Sequence, residues 1–350
     1  MNLAHSTHRT LILPPLLPHV RSHTTFKFGG RGGKSFAESI NIAINFDAKT
    51  SSSVNSTEFP SWSEVLEYDL VTQKTGVHLV DLWEFMQTSE FHLVGALLNH
   101  TVDTDGLAMG DNWMEFEDEF NKHYENHTVA VIGSAFGLGG DEAFARYNEG
   151  VAERIRRATL TFTPSNKLLG LIRSAIIHIP RHYVGVHIRF GDMYHLTDCN
   201  EPSAKTEYTK LISRIREANV THDTAIYLGS KDGNAKRCFD EHSGNEYRVF
   251  TLNDVMDAAS TNNTEEFERY NLSGVIPRLS DAMNGIHLDD GTKYLLIDMI
   301  LVSLGQSFFF SRVSFRPNSS TFQSIIEQRH EYREEFLNQI LNADTDHRYL

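Results

Sequence analysis

Short apolar runs recur along the chain, separated first by long polar stretches and later by segments with helical spacing. Thr10-Leu11-Ile12-Leu13, Val77-His78-Leu79-Val80, residues 129–132, residues 183–189, Ala225-Ile226-Tyr227-Leu228, Tyr247-Arg248-Val249-Phe250 and Phe308-Phe309-Phe310 each predict a buried strand. Asp81 follows the second run as the cap of a helix. Helical spacing covers about 143–178, with Thr163-Pro164-Ser165 restarting a helix that carries Leu168, Leu169, Ile172 and Ile176. It returns over about 203–218, where Tyr208, Leu211, Ile212 and Ile215 share a face, and over a strongly apolar segment at 292–304. Asn318-Ser319-Ser320 opens a last helix containing Phe322, Ile325 and Ile326. Strands alternating with helices predict an α/β fold with a parallel, doubly wound sheet. A break near residue 180 predicts two lobes, 1–180 and 181–330, followed by a helix or tail at 331–350. Residues 22–62, rich in Gly, Ser, Thr and Asn, read as a surface insertion in the first lobe.

One strand ends unlike the others. After Tyr183-Val184-Gly185-Val186 the chain reads His187-Ile188-Arg189-Phe190-Gly191-Asp192. Alternate side chains of a strand share a face, so His187 and Arg189 point together, opposite Val186 and Ile188. An arginine at the carboxyl end of an α/β strand stands where such sheets bind phosphorylated ligands, and its planar fork suits a diphosphate. An Arg189–Asp192 ion pair that merely ties down a turn is the alternative.

Composition narrows the classes. The 350 residues carry 40% hydrophobic and 22% charged residues, as ordinary globular domains do. A formal net charge of -14 argues against nucleic-acid binding, which needs a basic face. Two cysteines, Cys199 and Cys238, are too few for a disulfide framework and lack metal-site spacing; one bridge or two thiols both fit. Asn-x-Ser/Thr triplets at Asn55, Asn99, Asn126, Asn219, Asn262, Asn271 and Asn318 lean toward a secretory-pathway protein. The first residues lack the basic and apolar regions of a signal peptide, so the protein is either cytosolic or continues upstream of this chain. The longest apolar stretch, 294–310, contains Asp298 and Gln306 and is too short to span a bilayer comfortably.

Several motifs fail on their spacing. Gly29-Gly30-Arg31-Gly32-Gly33-Lys34-Ser35 resembles a phosphate loop, but Phe28 stands where the first glycine is required. The 18 histidines include no HExxH-like pair on a credible helix, no GxSxG occurs, and the loop at 133–140 lacks GxGxxG. Asp298 is more informative: it lies among Leu295, Leu296, Ile297, Met299, Ile300 and Leu301. A carboxylate there must find a donor or raise its pKa. It serves either as a partner for a backbone group or as an acceptor for a ligand's N–H edge, such as guanine offers. Ser319, Ser320 and Thr321 open a helix after a strand and a loop, which makes either a good N-cap or a phosphate site.

Three blocks in order, GVHIRFGD, AIYLGSKD and the pair LLIDMILVSLG with FFFSRVSFRPNSSTF, resemble the GDP-fucose fucosyltransferase superfamily. That superfamily includes protein O-fucosyltransferases and α1,6- and α1,2-fucosyltransferases. The first block looks like its HxRxxD motif, with His187, Arg189 and Asp192 in place. RTLILPPLLPH and Leu66-Glu67-Tyr68-Asp69-Leu70 resemble its RTLVLPP strand and FDL segment, so the likeness spans most of residues 9–326.

The resemblance implies a GT-B architecture of two Rossmann-like lobes, the second holding the nucleotide sugar. It implies fucose transfer from GDP-fucose to a glycan or protein hydroxyl with inversion, without metal or further cofactor, in the lumen of the ER or Golgi. Arg189 would hold the β-phosphate and stabilise charge on departing GDP, with His187 and Asp192 positioning it. Asp232, Asp298, Ser319, Ser320 and Thr321 would bind the donor. Two departures stand out. The family's Gly-rich GGxxNQR-like loop would precede this chain, so no catalytic base is visible, and Ser230-Lys231 replaces a usually acidic or Thr-rich turn. The competing reading is a catalytically impaired remnant that binds a nucleotide sugar or glycan.

Overall fold

The computed structural model describes residues 4–5, 8–13, 60–81, 84–85, 101–102, 122, 131–132, 163–188, 199–230, 233–261, 268–311, 326 and 329–342. The chain divides into two compact units, Met1–Thr163 and Pro164–Leu350. Both contain parallel strands, which makes the protein α/β.

In the first unit, β1 (Leu11–Leu13) pairs in parallel with β2 (Leu79–Asp81), and β3 (Thr101–Val102) with β4 (Val131–Ile132). Helix α1 (Tyr68–Thr75) ends at Gly76, whose φ of 72° turns the chain into β2. Val71, Val77, Leu79 and Ala4 form a small core with Leu11, Leu13 and Tyr68 against it. Asp81 closes β2, and the start of the helix it is expected to cap, at 82–83, lies outside the described residues. Its carboxylate accepts from the Ser61 hydroxyl, from Trp62 N–H at 3.1 Å and from the Tyr68 hydroxyl at 2.9 Å.

The second unit is built on a four-stranded, all-parallel sheet. The spatial order is β7 (Arg248–Phe250), β6 (Ala225–Gly229), β5 (Tyr183–His187), β8 (Phe308–Phe310). Val184, Val186, Ile188, Ile226 and Leu228 point to one face, against α3 (Pro202–Glu217) and α4 (Ala235–Ser243). From those helices come Tyr208, Leu211, Ile212, Ile215, Cys238 and Phe239. The spacing that predicted an amphipathic helix at 203–218 is the stripe that fills this core.

The opposite face carries α7 (Asp290–Ser303), which packs on β5 and β6. On its far side α7 meets α2 (Asn166–Ile176), and α5 (Leu252–Thr261) and α6 (Leu279–Gly285) also pack against α2. Burial on two sides explains why α7 is apolar nearly all round. Caps fix both helix starts: Ser165 Oγ accepts Leu168 N–H at 3.1 Å, and Asp289 Oδ1 accepts Thr292 N–H at 3.0 Å. Helix α8 (Arg333–Asn342) closes over α2. Buried Arg173 of α2 donates to the carbonyls of Ile340 at 2.6 Å, Leu341 at 3.4 Å and Ser273. A cation thus meets the carboxyl end of α8. Helix α2, assigned from sequence to the first half, packs among elements of the second unit.

Cys199 and Cys238 form a disulfide, with Cα atoms 5.1 Å apart. It joins the segment entering α3 to α4 inside the core of that face. His242 Nε2 lies 2.8 Å from the Cys199 carbonyl oxygen, and its ring stacks on Tyr208. The choice left open by composition is settled by packing: both sulfurs belong to one buried cluster. No helix among the described residues is long and apolar enough to cross a membrane.

Candidate functional site

The sheet itself marks the site. From β5 the chain passes through α3 to β6 and through α4 to β7, with both helices on the face of Val184 and Val186. It returns through α7, on the opposite face, to β8 on the other side of β5. The connections therefore change faces between β5 and β8. In open α/β sheets, ligands bind in the crevice outside the carboxyl ends of the strands at such a switch point.

His187 and Phe310 are register partners at that point, and His187 also pairs with Gly229 of β6. The three strand ends are clasped together. Ser311 N–H donates to the His187 carbonyl at 3.0 Å, and Ile188 N–H donates to the Gly229 carbonyl at 3.0 Å. His187 is buried, on the parity of Tyr183 and Gly185 and hence on the α7 face.

On that face two glycines let α7 approach. A Cβ on Gly185 would run into the Val302 carbonyl, and one on Gly229 would stand 2.5 Å from Val302 Cγ2 and 3.8 Å from Asp298 Cγ. Asp298 is thereby held under the carboxyl end of β6, one strand from His187. Its Oδ1 accepts the Tyr227 hydroxyl at 2.7 Å, and Tyr227 makes an edge contact with Tyr183, ring centroids 6.2 Å apart. Tyr183 in turn donates to the Leu301 carbonyl at 2.6 Å. Asp298 as a whole is half-buried, but the packing around its carboxyl makes desolvation the leading influence. Burial pushes the carboxyl up to about 7, against a smaller downward pull from the Tyr227 hydrogen bond. The same surroundings hold the Tyr227 phenol well above its ordinary range, chiefly by burial and then by the nearby Asp298 charge.

Of the eight residues singled out in sequence, His187 and Asp298 are brought to the same face at the same end of the sheet. Arg189, Asp192, Asp232, Ser319, Ser320 and Thr321 lie outside the described residues. In sequence, Arg189 follows the end of β5 by two positions, and Ser319 follows the end of β8 by nine. Sequence reasoning missed Tyr227 as the donor to Asp298, although it shares strand parity with Gly229 and precedes it by two. It also missed Gly185 and Gly229 as the reason α7 lies so close; a glycine in two adjacent strands was the available signal. Among the described residues no group of three or more His, Cys, Asp or Glu side chains is arranged to hold a metal ion. Compared with protein-family models, curated proteins and solved structures, the chain matches none of them.

Proposed function

We propose that the chain is a glycosyltransferase that moves fucose from GDP-fucose to a glycan or protein hydroxyl, with inversion. In this reading the two α/β units are the lobes of a GT-B enzyme, and the second binds the nucleotide. The observation that supports the proposal is a shared face at the switch point: His187 ends the strand that runs into the HxRxxD sequence, and Asp298 of α7 lies on that side of the sheet, against Gly229 of the neighbouring strand.

The chemistry follows from those positions. Arg189 neutralises the β-phosphate as the glycosidic bond to GDP lengthens, which stabilises charge where it develops. His187, rigid in β5, anchors the start of the segment that carries Arg189 and Asp192. Asp298 accepts hydrogen bonds from the guanine N–H edge through the oxygen that Tyr227 does not take. Ser319, Ser320 and Thr321 supply hydroxyls to the phosphates, and Asp232, three positions after β6 in sequence, contributes to donor binding. Arg189 stands in for a divalent cation. A buried disulfide and seven N-glycosylation triplets support a working place in the oxidising secretory lumen.

Calorimetric titration with GDP, UDP and ADP tests the reading, alongside GDP-fucose hydrolysis by wild type and Arg189→Ala. Preferred binding of GDP is expected, with a loss of roughly 10²–10³ in hydrolysis rate for Arg189→Ala. GDP binding no tighter than UDP, or an Arg189→Ala variant with unchanged hydrolysis, overturns it. GDP binding without hydrolysis would mark a nucleotide-binding remnant.

A further inference from the structure

Seven triplets could accept an N-linked glycan, and two fall on described residues. Asn219-Val220-Thr221 follows α3 directly. Asn219 has φ 56°. Its N–H donates to the Arg216 carbonyl at 2.9 Å, and Val220 N–H donates to Ile215 at 3.4 Å. This is the paired-bond stop in which the residue after the cap turns left-handed, a place suited to Asn. Val220 packs inward on the core while Asn219 and Thr221 are exposed. Asn271-Leu272-Ser273 lies in the connection between α5 and α6, and Asn271 is exposed there. Neither carboxamide makes a hydrogen bond to another described residue.

Their location in the fold is shared. Asn219 leads into the amino end of β6. Three residues before Asn271, Glu268 pairs with Arg181 at 2.8 Å, and its carbonyl accepts Arg181 N–H at 2.8 Å, just ahead of β5. All four strands are parallel, so both asparagines flank the amino end of the sheet. The switch point, where open sheets of this kind bind ligands, lies at the carboxyl end. A bulky, hydrated glycan at either asparagine would therefore stand clear of the switch point and cover no core surface.

The disulfide supplies the second, independent observation. Cys199 and Cys238 are almost wholly buried, so the bond forms as the unit folds, in an oxidising compartment. Chains that fold in the eukaryotic secretory lumen meet lipid-linked oligosaccharide there.

We propose that Asn219 and Asn271 are N-glycosylation sites, placing two glycans around the amino end of the sheet and leaving the carboxyl-end switch point clear. In the transfer, Nδ2 of each asparagine forms a bond to the anomeric carbon of an oligosaccharide. The carbon–oxygen bond to a polyprenyl diphosphate breaks, the diphosphate leaves with the bonding pair, and the amide gives up one proton.

The test is secretion of the full chain, fused to a cleavable leader, from a eukaryotic host. Enzymatic deglycosylation in heavy-oxygen water then converts each occupied Asn to an isotopically marked Asp, read by peptide mass spectrometry. Marking is expected at Asn219 and Asn271. Asn245 is the internal control: it too is exposed with a left-handed φ of 57° after a helix, but Tyr247 stands at the third position of its triplet. Thr221→Ala should abolish marking at Asn219 while keeping the turn residue, and Thr221→Ser should restore it. Asn271→Gln removes the second site. Unmarked Asn219 or Asn271 in secreted protein with the disulfide formed overturns the proposal for that site. Failure of the chain to be secreted with that disulfide overturns it for both.

Discussion

Placing Asp298 under the strand ends depends on α7 lying directly on Gly185 and Gly229, and alanine at each tests that packing. At Gly185 the added carbon would collide with the Val302 carbonyl oxygen and stand 2.9 Å and 3.3 Å from the Val302 carbonyl carbon and Cα. All three are backbone atoms of a helix held from behind by α2, so nothing flexible can move aside. Overpacking a well-filled core costs ~1–3 kcal/mol, and a rigid backbone obstacle sets the expectation for Gly185→Ala at ~3–5 kcal/mol. At Gly229 the nearest obstacle is a methyl, Val302 Cγ2 at 2.5 Å, with Asp298 Cγ at an ordinary 3.8 Å. Gly229→Ala should cost about 1–2 kcal/mol. Trimming the obstacle separates the two: Val302→Ala should relieve part of the Gly229→Ala cost, giving a coupling of about 1 kcal/mol, and none of the Gly185→Ala cost. Trp62, Trp83 and Trp113 all belong to the first unit, so urea unfolding should be followed by tyrosine near-ultraviolet dichroism, which Tyr183 and Tyr227 contribute to in the second. Gly185→Ala within about 1 kcal/mol of wild type, or rescued by Val302→Ala as well as Gly229→Ala is, would refute the packing described.

The Cys199→Ser/Cys238→Ser pair opens a loop of 39 residues in sequence separation and should lower stability by ~4 kcal/mol on chain entropy alone, read by urea denaturation; a loss under about 1 kcal/mol would contradict it. Asp298 is raised by burial from 3.8 to about 7, so the folded state keeps a proton that the unfolded chain loses on passing pH 4. The stability this contributes is full below that value and disappears as pH climbs through 7. The advantage of Asp298→Asn over wild type should therefore grow between pH 4.5 and 7.5, by up to ~3 kcal/mol; a difference flat across those pH values argues against the buried carboxyl. Arg173→Met keeps the bulk of the side chain but strands the carbonyls of Ile340 and Ser273, so a loss of about 2–4 kcal/mol is expected in thermal or urea melts, and a neutral effect would show those contacts to be dispensable.

Much of the second unit was legible because its signals are local. Strands at 183–187, 225–229 and 308–310 and helices at 166–176, 202–217 and 290–303 lie within a few residues of where apolar spacing and Ser165 predicted them. Helices α1, α5 and α6 escaped, being short and weakly patterned, so packing decides them rather than propensity. His187 and Asp298 were legible as candidates from their company. Their shared face was not, since they are separated by 111 positions and meet only through the Gly229 register and the approach of α7.

By itself the sequence determined the α/β class, the strands that run into the sheet, and the residues whose chemistry is out of place in an apolar run. Periodicity and local polarity are properties of neighbouring residues, and they survive without tertiary contacts. Tertiary structure alone decided the order β7-β6-β5-β8, the switch point it creates beside His187, the Tyr227 partner that Asp298 keeps, and the bond between Cys199 and Cys238. Each depends on which distant segments share the space of one core, and that is fixed by burying both faces of the sheet at once.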